Sequence, residues 1–296
     1  MKSAAVTMVW SDNWFLSRWL AYFGPRLGRE NLYVITHGPD AIAAELSQGC
    51  NVLTVPRDEI TVDFDVVRWK FLSHFTSSLA QFYHSVLCLD VDELVVPTAP
   101  DRTLSEVLSS LSRTTSWAMP GFEVFPAAPG TETYANGEGI ARQSGSALFS
   151  PFYSKSCVAT GQIDFYPGAH GAGPEKPSLT NDLALLHLRF VSGAELERRR
   201  IEREKLTSSA YDAAGVTTEE MTASGRLVSW AHARRRHRKL FKEHDESEKI
   251  GWQDGLSRAA TLLPGLCFEH RGHHLFRTQR HRSFSAILPD WMAEAF

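Results

Sequence analysis

Val86-Leu87-Cys88-Leu89-Asp90-Val91-Asp92-Glu93-Leu94-Val95-Val96 is an apolar run, three carboxylates and a second apolar run. A carboxylate leaving a buried strand is expensive to desolvate unless a cation or hydrogen bonds meet it, so three together point to a metal or a catalytic group. In extended geometry the i, i+2 spacing turns Asp90 and Asp92 to one side. That suits a hard cation which keeps substrate phosphate oxygens among its ligands, and Mg²⁺ or Mn²⁺ is the expected cofactor. The competing reading is that both aspartates only cap the turn that follows.

N-terminal to this stretch the chain alternates strand and helix signals. Ala4 to Trp10 reads as a buried strand, and Trp14, Phe15, Trp19, Leu20 and Phe23 recur on one helical face. Leu32 to Ile35 and Asn51 to Val55 repeat the strand signal, separated by a short helix, Ala41 to Leu46, introduced by Asp40. A long helix over roughly Asp65 to Tyr83 precedes the Val86 strand. Such alternation, with strands apolar on both faces, predicts an α/β fold: a mostly parallel sheet flanked by helices, with its ligand crevice at the carboxyl ends of the strands. Asp90 stands at that edge. After Pro97 a helix opens at Thr103, and Trp117 to Tyr166 is rich in Gly, Pro and aromatics, as mixed strands and long loops are. Gly193 to Ser209 is charged and helical, and helix signals dominate from Thr218. The division expected is a catalytic domain over 1–190 and a mainly helical C-terminal appendage over 191–296.

The 296 residues are 43% hydrophobic and 22% charged, ordinary globular composition. A net charge of −3 provides no global basic field, so nucleic acid is not an expected partner. Cys50, Cys88, Cys157 and Cys267 form no CxxC pair, which fits a reducing cytoplasm. The N-terminus reads as a strand rather than a signal peptide, and no window reaches the ~20 apolar residues of a membrane span. Membrane contact is expected to be peripheral at most, through Arg234-Arg235-Arg236-His237-Arg238-Lys239.

Leu87 to Val96 resembles the strand, D-x-D-E and following strand of GT-A glycosyltransferases, in particular a family-2-like branch. Val6 to Phe23 is similar to that branch's opening strand and helix, with Leu16, Trp19 and Tyr22 in its pattern. His187-Leu188-Arg189-Phe190, with Ser192 and Glu195, resembles its later His motif. The resemblance implies a GT-A, Rossmann-like sheet in which Asp90 and Asp92 bind metal and diphosphate, Glu93 supports them, and His187 is a further metal or phosphate ligand. A neutral imidazole is a good ligand for a cation such as Mn²⁺. It also implies a nucleotide-sugar donor, a UDP-sugar first of all, and a glycan or lipid-linked acceptor of bacterial surface polysaccharide. Where the family has a basic residue, Asn and Glu after the first strand, this chain has Trp10, Ser11 and Asp12, so only the acidic position, Asp12, matches. Thr36-His37-Gly38-Pro39-Asp40 lacks the acid usual at its start, and base recognition departs from the family pattern accordingly.

Further candidates come from charge and position. Arg68, on the helix before the Asp90 strand, can grip phosphate in bidentate fashion. Inversion at an anomeric carbon needs a carboxylate base, for which Glu123, Asp164 and Asp182 are candidates that spacing does not separate. Lys155 and His170 could neutralise departing diphosphate, and Gly168 to Gly173 is glycine-rich enough to be a closing loop. Two rivals stand beside the transferase: a haloacid-dehalogenase-like phosphatase, which also places D-x-D after a buried strand, and a carbohydrate-binding protein that has lost donor binding.

Overall fold

The computed structural model describes residues 1–57, 61, 63–126, 145–215, 217, 233–277 and 284–294, without the side chains of 207, 210–214, 233–236 and 293–294. Residues 127–144 of the Gly-, Pro- and aromatic-rich stretch, the helix signals of 218–232 and the side chains of Arg234, Arg235 and Arg236 lie outside this set.

The expected alternation opens the chain: β1 (Ser3–Val9), α1 (Asn13–Leu27), β2 (Leu32–His37), α2 (Ala41–Leu46), β3 (Asn51–Val55), α3 (Phe64–Leu79) and β4 (Ser85–Cys88). β3, β2, β1 and β4 lie side by side in that order, all parallel. This is the three-two-one-four order of a Rossmann-like half. The two-residue period of β1 feeds two cores. Ala5 and Val9 pack with Phe15, Leu16 and Trp19 of α1, whereas Ala4, Val6 and Met8 pack with Trp69 and Leu72 of α3. Each fully buried large apolar side chain contributes about 1.5–3 kcal/mol. Asp40 caps α2 by accepting the Ala43 N–H at 2.9 Å. β3 departs from the expectation of burial on both faces: it is the edge strand, with a neighbour on one side only, and Asn51 to Thr54 are exposed.

The chain continues through β5 (Glu93–Pro97), α4 (Leu104–Ser110), β6 (Ser116–Ala118), β7 (Gly121–Phe125), β8 (Ser146–Phe149), β9 (Val158–Ala159), β10 (Asp164–Phe165), β11 (Gly171–Gly173), β12 (Ser178–Leu179) and β13 (Leu183–His187). It closes with α5 (Gly193–Ala214), α6 (Ala233–Glu246), β14 (Glu248–Ile250), α7 (Trp252–Leu266), β15 (Cys267–His270), β16 (His273–Phe276) and β17 (Phe284–Ile287). β9, β6 and β12 extend the first sheet beyond β4; a second sheet runs β14-β17-β8-β7-β13-β5, and a small third one β10-β11-β16-β15. The fold is therefore α/β, with mixed sheets flanked by helices. Besides its helices the C-terminal region supplies four strands, which complete the second and third sheets. At three or four residues each, these are too short to carry a visible alternation. No helix among the described residues is long and apolar enough to cross a membrane.

Candidate functional site

The two large sheets meet at the acidic segment. β4 belongs to the first sheet and β5 to the second, and the chain passes between them in a tight turn, closed by the Glu93 N–H donating to the Asp90 carbonyl at 3.0 Å. The extended geometry expected from the i, i+2 spacing is thus replaced by a turn, and the two aspartates meet different cations. Asp90 Oδ1 accepts from Arg68 Nη2 at 2.7 Å, with Lys155 Nζ 3.7 Å from Oδ2. Asp92 Oδ2 accepts from Arg199 Nη1 at 2.6 Å and lies 3.3 Å from His187 Nε2. Burial alone would raise both carboxyl pKa values, but Arg68 and Lys155 hold Asp90 below the usual range, and Arg199 and His187 hold Asp92 well below it.

Strand register builds the floor. β13 lies between β5 and β7, and His187 pairs with Glu93 on one side and Glu123 on the other. Directly opposed residues face the same way, so Glu93, His187 and Glu123 form one cross-strand row. His187 donates Nδ1–H to Glu123 Oε2 at 2.6 Å while Nε2 faces Asp92. Burial would lower the imidazole pKa, but Glu123 and Asp92 outweigh it and raise the pKa above its ordinary value. Nε2, the nitrogen expected to serve a metal, thus lies against Asp92, the other residue expected to hold it, and the ring joins Asp92 to Glu123. Tyr153 stacks on the imidazole, ring centroids 3.9 Å apart.

Lys155 reaches the turn because its segment runs beside β4, where the Cys88 N–H donates to the Cys157 carbonyl at 2.9 Å. Gly121 makes room for that segment, since a Cβ there would lie 2.2 Å from the Tyr153 carbonyl. The ammonium is fully buried, 2.5 Å from Glu93 Oε1, and donates to the Gly168 carbonyl at 3.1 Å. Burial pushes the Glu93 pKa above its ordinary value, with Lys155 opposing. His170 stacks on Phe152 at 3.5 Å and its Nδ1 lies 3.1 Å from the Phe152 carbonyl. A carbonyl only accepts, so Nδ1 carries the proton and Nε2 is the acceptor. Burial and Lys155 both push the His170 pKa well down, so the ring is neutral. In that form it can accept a hydroxyl.

α5 closes the opposite wall. Ser192 accepts the Glu195 N–H at its start, 3.3 Å away. Leu196, Arg199, Arg203 and Leu206 all line the cavity, and their three-four-three spacing is one helical face. Asp12 pairs with Arg198 at 2.8 Å and Arg199 at 3.2 Å. Burial, with Arg199 and Arg189 nearby, pulls the Arg203 pKa down to about 9.

Together these groups enclose a cavity of about 480 Å³ at the carboxyl ends of β1, β2 and β4, the size of a small-molecule site. Of the expected site residues, Asp12, Arg68, Asp90, Asp92, Glu123 and His170 line it. Lys155 and His187 touch lining carboxylates from below. Asp164 instead pairs with His273 at 3.1 Å and Asp182 with Arg102 at 3.0 Å; both are exposed and away from the lining, because β10 is the edge strand of the third sheet and Asp182 precedes β13 at the end opposite His187. Arg189 and Arg199 lack a predicted role, although the α5 spacing was a usable sign for Arg199. At the ends of β1 and β2, Arg57 lies 3.5 Å over the Trp10 ring and 2.9 Å from His37 Nδ1, and His37 stacks on Phe64.

Among the described residues no three His, Cys, Asp or Glu side chains gather as a metal cage. Asp92 spends Oδ2 on Arg199 and His187, and Asp90 spends Oδ1 on Arg68, which leaves Asp92 Oδ1 and an Asp90 Oδ2 held only by the longer 3.7 Å contact to Lys155. Two carboxylate oxygens fit a Mg²⁺-like ion that takes its other ligands from phosphate and water, and do not fit a site built from protein alone.

The fold and cavity define a Rossmann-like α/β protein with a charged crevice at its sheet edge. No family model and no curated protein matches the chain. Among solved structures it is similar to mannose-1-phosphate geranyltransferase from Thermus thermophilus, at 16% identity and a TM-score of 0.29 over 76% of this chain and 68% of that one. It is also similar to a "putative nucleotide-diphospho-sugar transferase" from Desulfovibrio desulfuricans, at 11% identity and a TM-score of 0.25 over 41% of this chain and 59% of that one. At those scores neither likeness assigns an activity.

Proposed function

We propose that this protein is a glycosyltransferase that moves a sugar from a nucleotide-diphosphate sugar to a glycan or lipid-linked acceptor, with Mn²⁺ or Mg²⁺ shared between Asp90, Asp92 and the donor diphosphate. The observation that carries the reading is the acidic turn itself: two aspartates, each with one oxygen outside its close arginine pair, line a cavity at the carboxyl edge of a three-two-one-four parallel sheet. When bound, the cation would neutralise charge on the departing diphosphate. Arg68 would hold a phosphate oxygen beside Asp90, and Lys155 would add positive charge from below. The Trp10, Arg57, His37 and Phe64 group offers stacking surface for the nucleobase at the ends of β1 and β2. Of the three candidate bases Glu123 is preferred, since it lines the cavity beside His187 and its carboxylate would take the acceptor hydroxyl's proton. Localisation at the cytoplasmic membrane face, through Arg238 and Lys239, belongs to the same proposal.

A screen of nucleotide-sugars for Mn²⁺-dependent hydrolysis and transfer tests the reading. Release of nucleoside diphosphate that stops on chelation supports it. Metal-dependent release of phosphate from simple phosphomonoesters, with none from nucleotide-sugars, would favour the phosphatase instead.

A further inference from the structure

Arg189 is the cation the proposed reaction leaves unused. It lies two residues beyond His187, at the end of β13 where Glu123 is the cross-strand neighbour, and it lines the cavity. Its Nε–H is buried without an acceptor. Arg199 spends its charge on Asp92 and Asp12. Arg199 and Arg189 both disfavour the charge of buried Arg203, whereas Asp92 and Glu123 favour that of Arg189. A buried N–H without a partner costs about 1–3 kcal/mol, and the neighbouring guanidinium groups add a like-charge cost at Arg203. Both costs are relieved by an anion. Asp90 has its own cations, Arg68 and Lys155, on the far side of the turn, whereas the carboxylates acting on Arg189 are Asp92 and Glu123. Arg189 instead sits beside Glu123, where the acceptor would be attacked.

We infer that the acceptor carries an anionic group, a carboxylate or a phosphate, which Arg189 binds next to the hydroxyl facing Glu123, with Arg203 as the neighbouring positive charge. Neutral sugars of the same shape are then disfavoured, because they leave the buried Nε–H without a charged acceptor. This inference rests on the glycosyltransferase reading for the word acceptor; the anion site itself does not.

The test uses the full chain and four probes: UDP with Mn²⁺, and glucuronate, glucose 6-phosphate and glucose as acceptor mimics. Binding is measured by calorimetry on the wild type, Arg189→Met, Arg189→Lys and Arg68→Met. The expected result is that glucuronate or glucose 6-phosphate binds at least tenfold tighter than glucose, and that Arg189→Met removes this preference. Arg189→Lys keeps part of it, and UDP affinity changes less than twofold in both. Arg68→Met shows the reverse pattern. Which of the two anionic probes binds tighter separates carboxylate from phosphate. The inference is overturned if glucose binds as tightly as both acidic probes, or if Arg189→Met weakens UDP as much as it weakens them, for then the guanidinium serves the donor. Should UDP fail to bind at all, the transferase reading falls, while the comparison of acidic with neutral probes on the apo protein still decides the anion site. Folding of each variant is checked by thermal unfolding; if Arg189→Met fails to fold, the wild-type preference and Arg189→Lys decide alone.

Discussion

Lys155→Met isolates the electrostatics of the acidic turn. The ammonium is fully buried, 2.5 Å from Glu93 and 3.7 Å from Asp90. Without it Asp90 keeps Arg68, whereas Glu93 keeps only the Asp90 N–H at 3.1 Å. Removing one partner of a buried pair costs about 3–5 kcal/mol when the other charge has no escape. Glu93 has one, because it can take up a proton. Its ordinary pKa is 4.5, so protonating it at pH 7 costs about 3.4 kcal/mol, and at pH 5.5 about 1.4 kcal/mol. Part of that is already present in the wild type, where burial raises the pKa. The loss at pH 7 should therefore be about 2–3 kcal/mol and should shrink towards pH 5. The sign follows from the shift: a raised carboxyl pKa favours the folded state below the unfolded pKa, and the advantage is lost as pH rises through the folded value. Urea unfolding of the wild type, Lys155→Met, Glu93→Gln and the double variant at pH 5.5 and 7.5 measures it. The double variant should recover at least ~1 kcal/mol relative to the sum of the single ones. An equal deficit at both pH values together with strict additivity would rule out the coupling of Lys155 to Glu93.

Glu123→Gln should lower transfer on the order of 100-fold or more while Mn²⁺-dependent nucleotide binding changes less than twofold; a parallel loss of binding, by calorimetry, would count against the base assignment. His187 has a raised folded pKa, so the stability it adds is complete below about pH 6.5 and is lost as pH rises through the folded value. The stability difference between wild type and His187→Gln should accordingly narrow as pH rises above about 6.5, and a constant difference in urea titrations would argue for a neutral ring. Gly121→Ala places a Cβ 2.2 Å from the Tyr153 carbonyl, for a cost of about 1–3 kcal/mol; unchanged stability would show that this segment yields freely.

The parallel half of the fold was legible because β1, β2 and β4 are apolar on both faces, and Asp40 and Thr103 mark helix starts whose caps form as expected. The placement of Asp90 at the sheet edge followed from β4 alone. What could not be read was the partner of each charge. The Asp92–Arg199 pair joins residues 107 positions apart, and nothing local distinguishes Arg199 from its neighbours except its place on the Leu196-Leu206 face. Lys155 sits among Ser154, Ser156 and Cys157, small residues that carry no sign of a fully buried ammonium. The tight turn at Asp90 was hidden too, since a change of sheet between β4 and β5 leaves the apolar pattern on both sides unbroken. Glu123 could not be told from Asp164 and Asp182 by spacing; register with His187 separates them.

Whether the two aspartates of the turn hold a cation together with a nucleotide diphosphate is decided by calorimetric titration of UDP and GDP into the wild type and Asp92→Asn, each with Mn²⁺ and with chelator. Binding to the wild type should need Mn²⁺, and it should weaken at least tenfold in a folded Asp92→Asn. Binding of equal strength under chelator, or an Asp92→Asn protein that binds as the wild type does, would show that no cation is shared there.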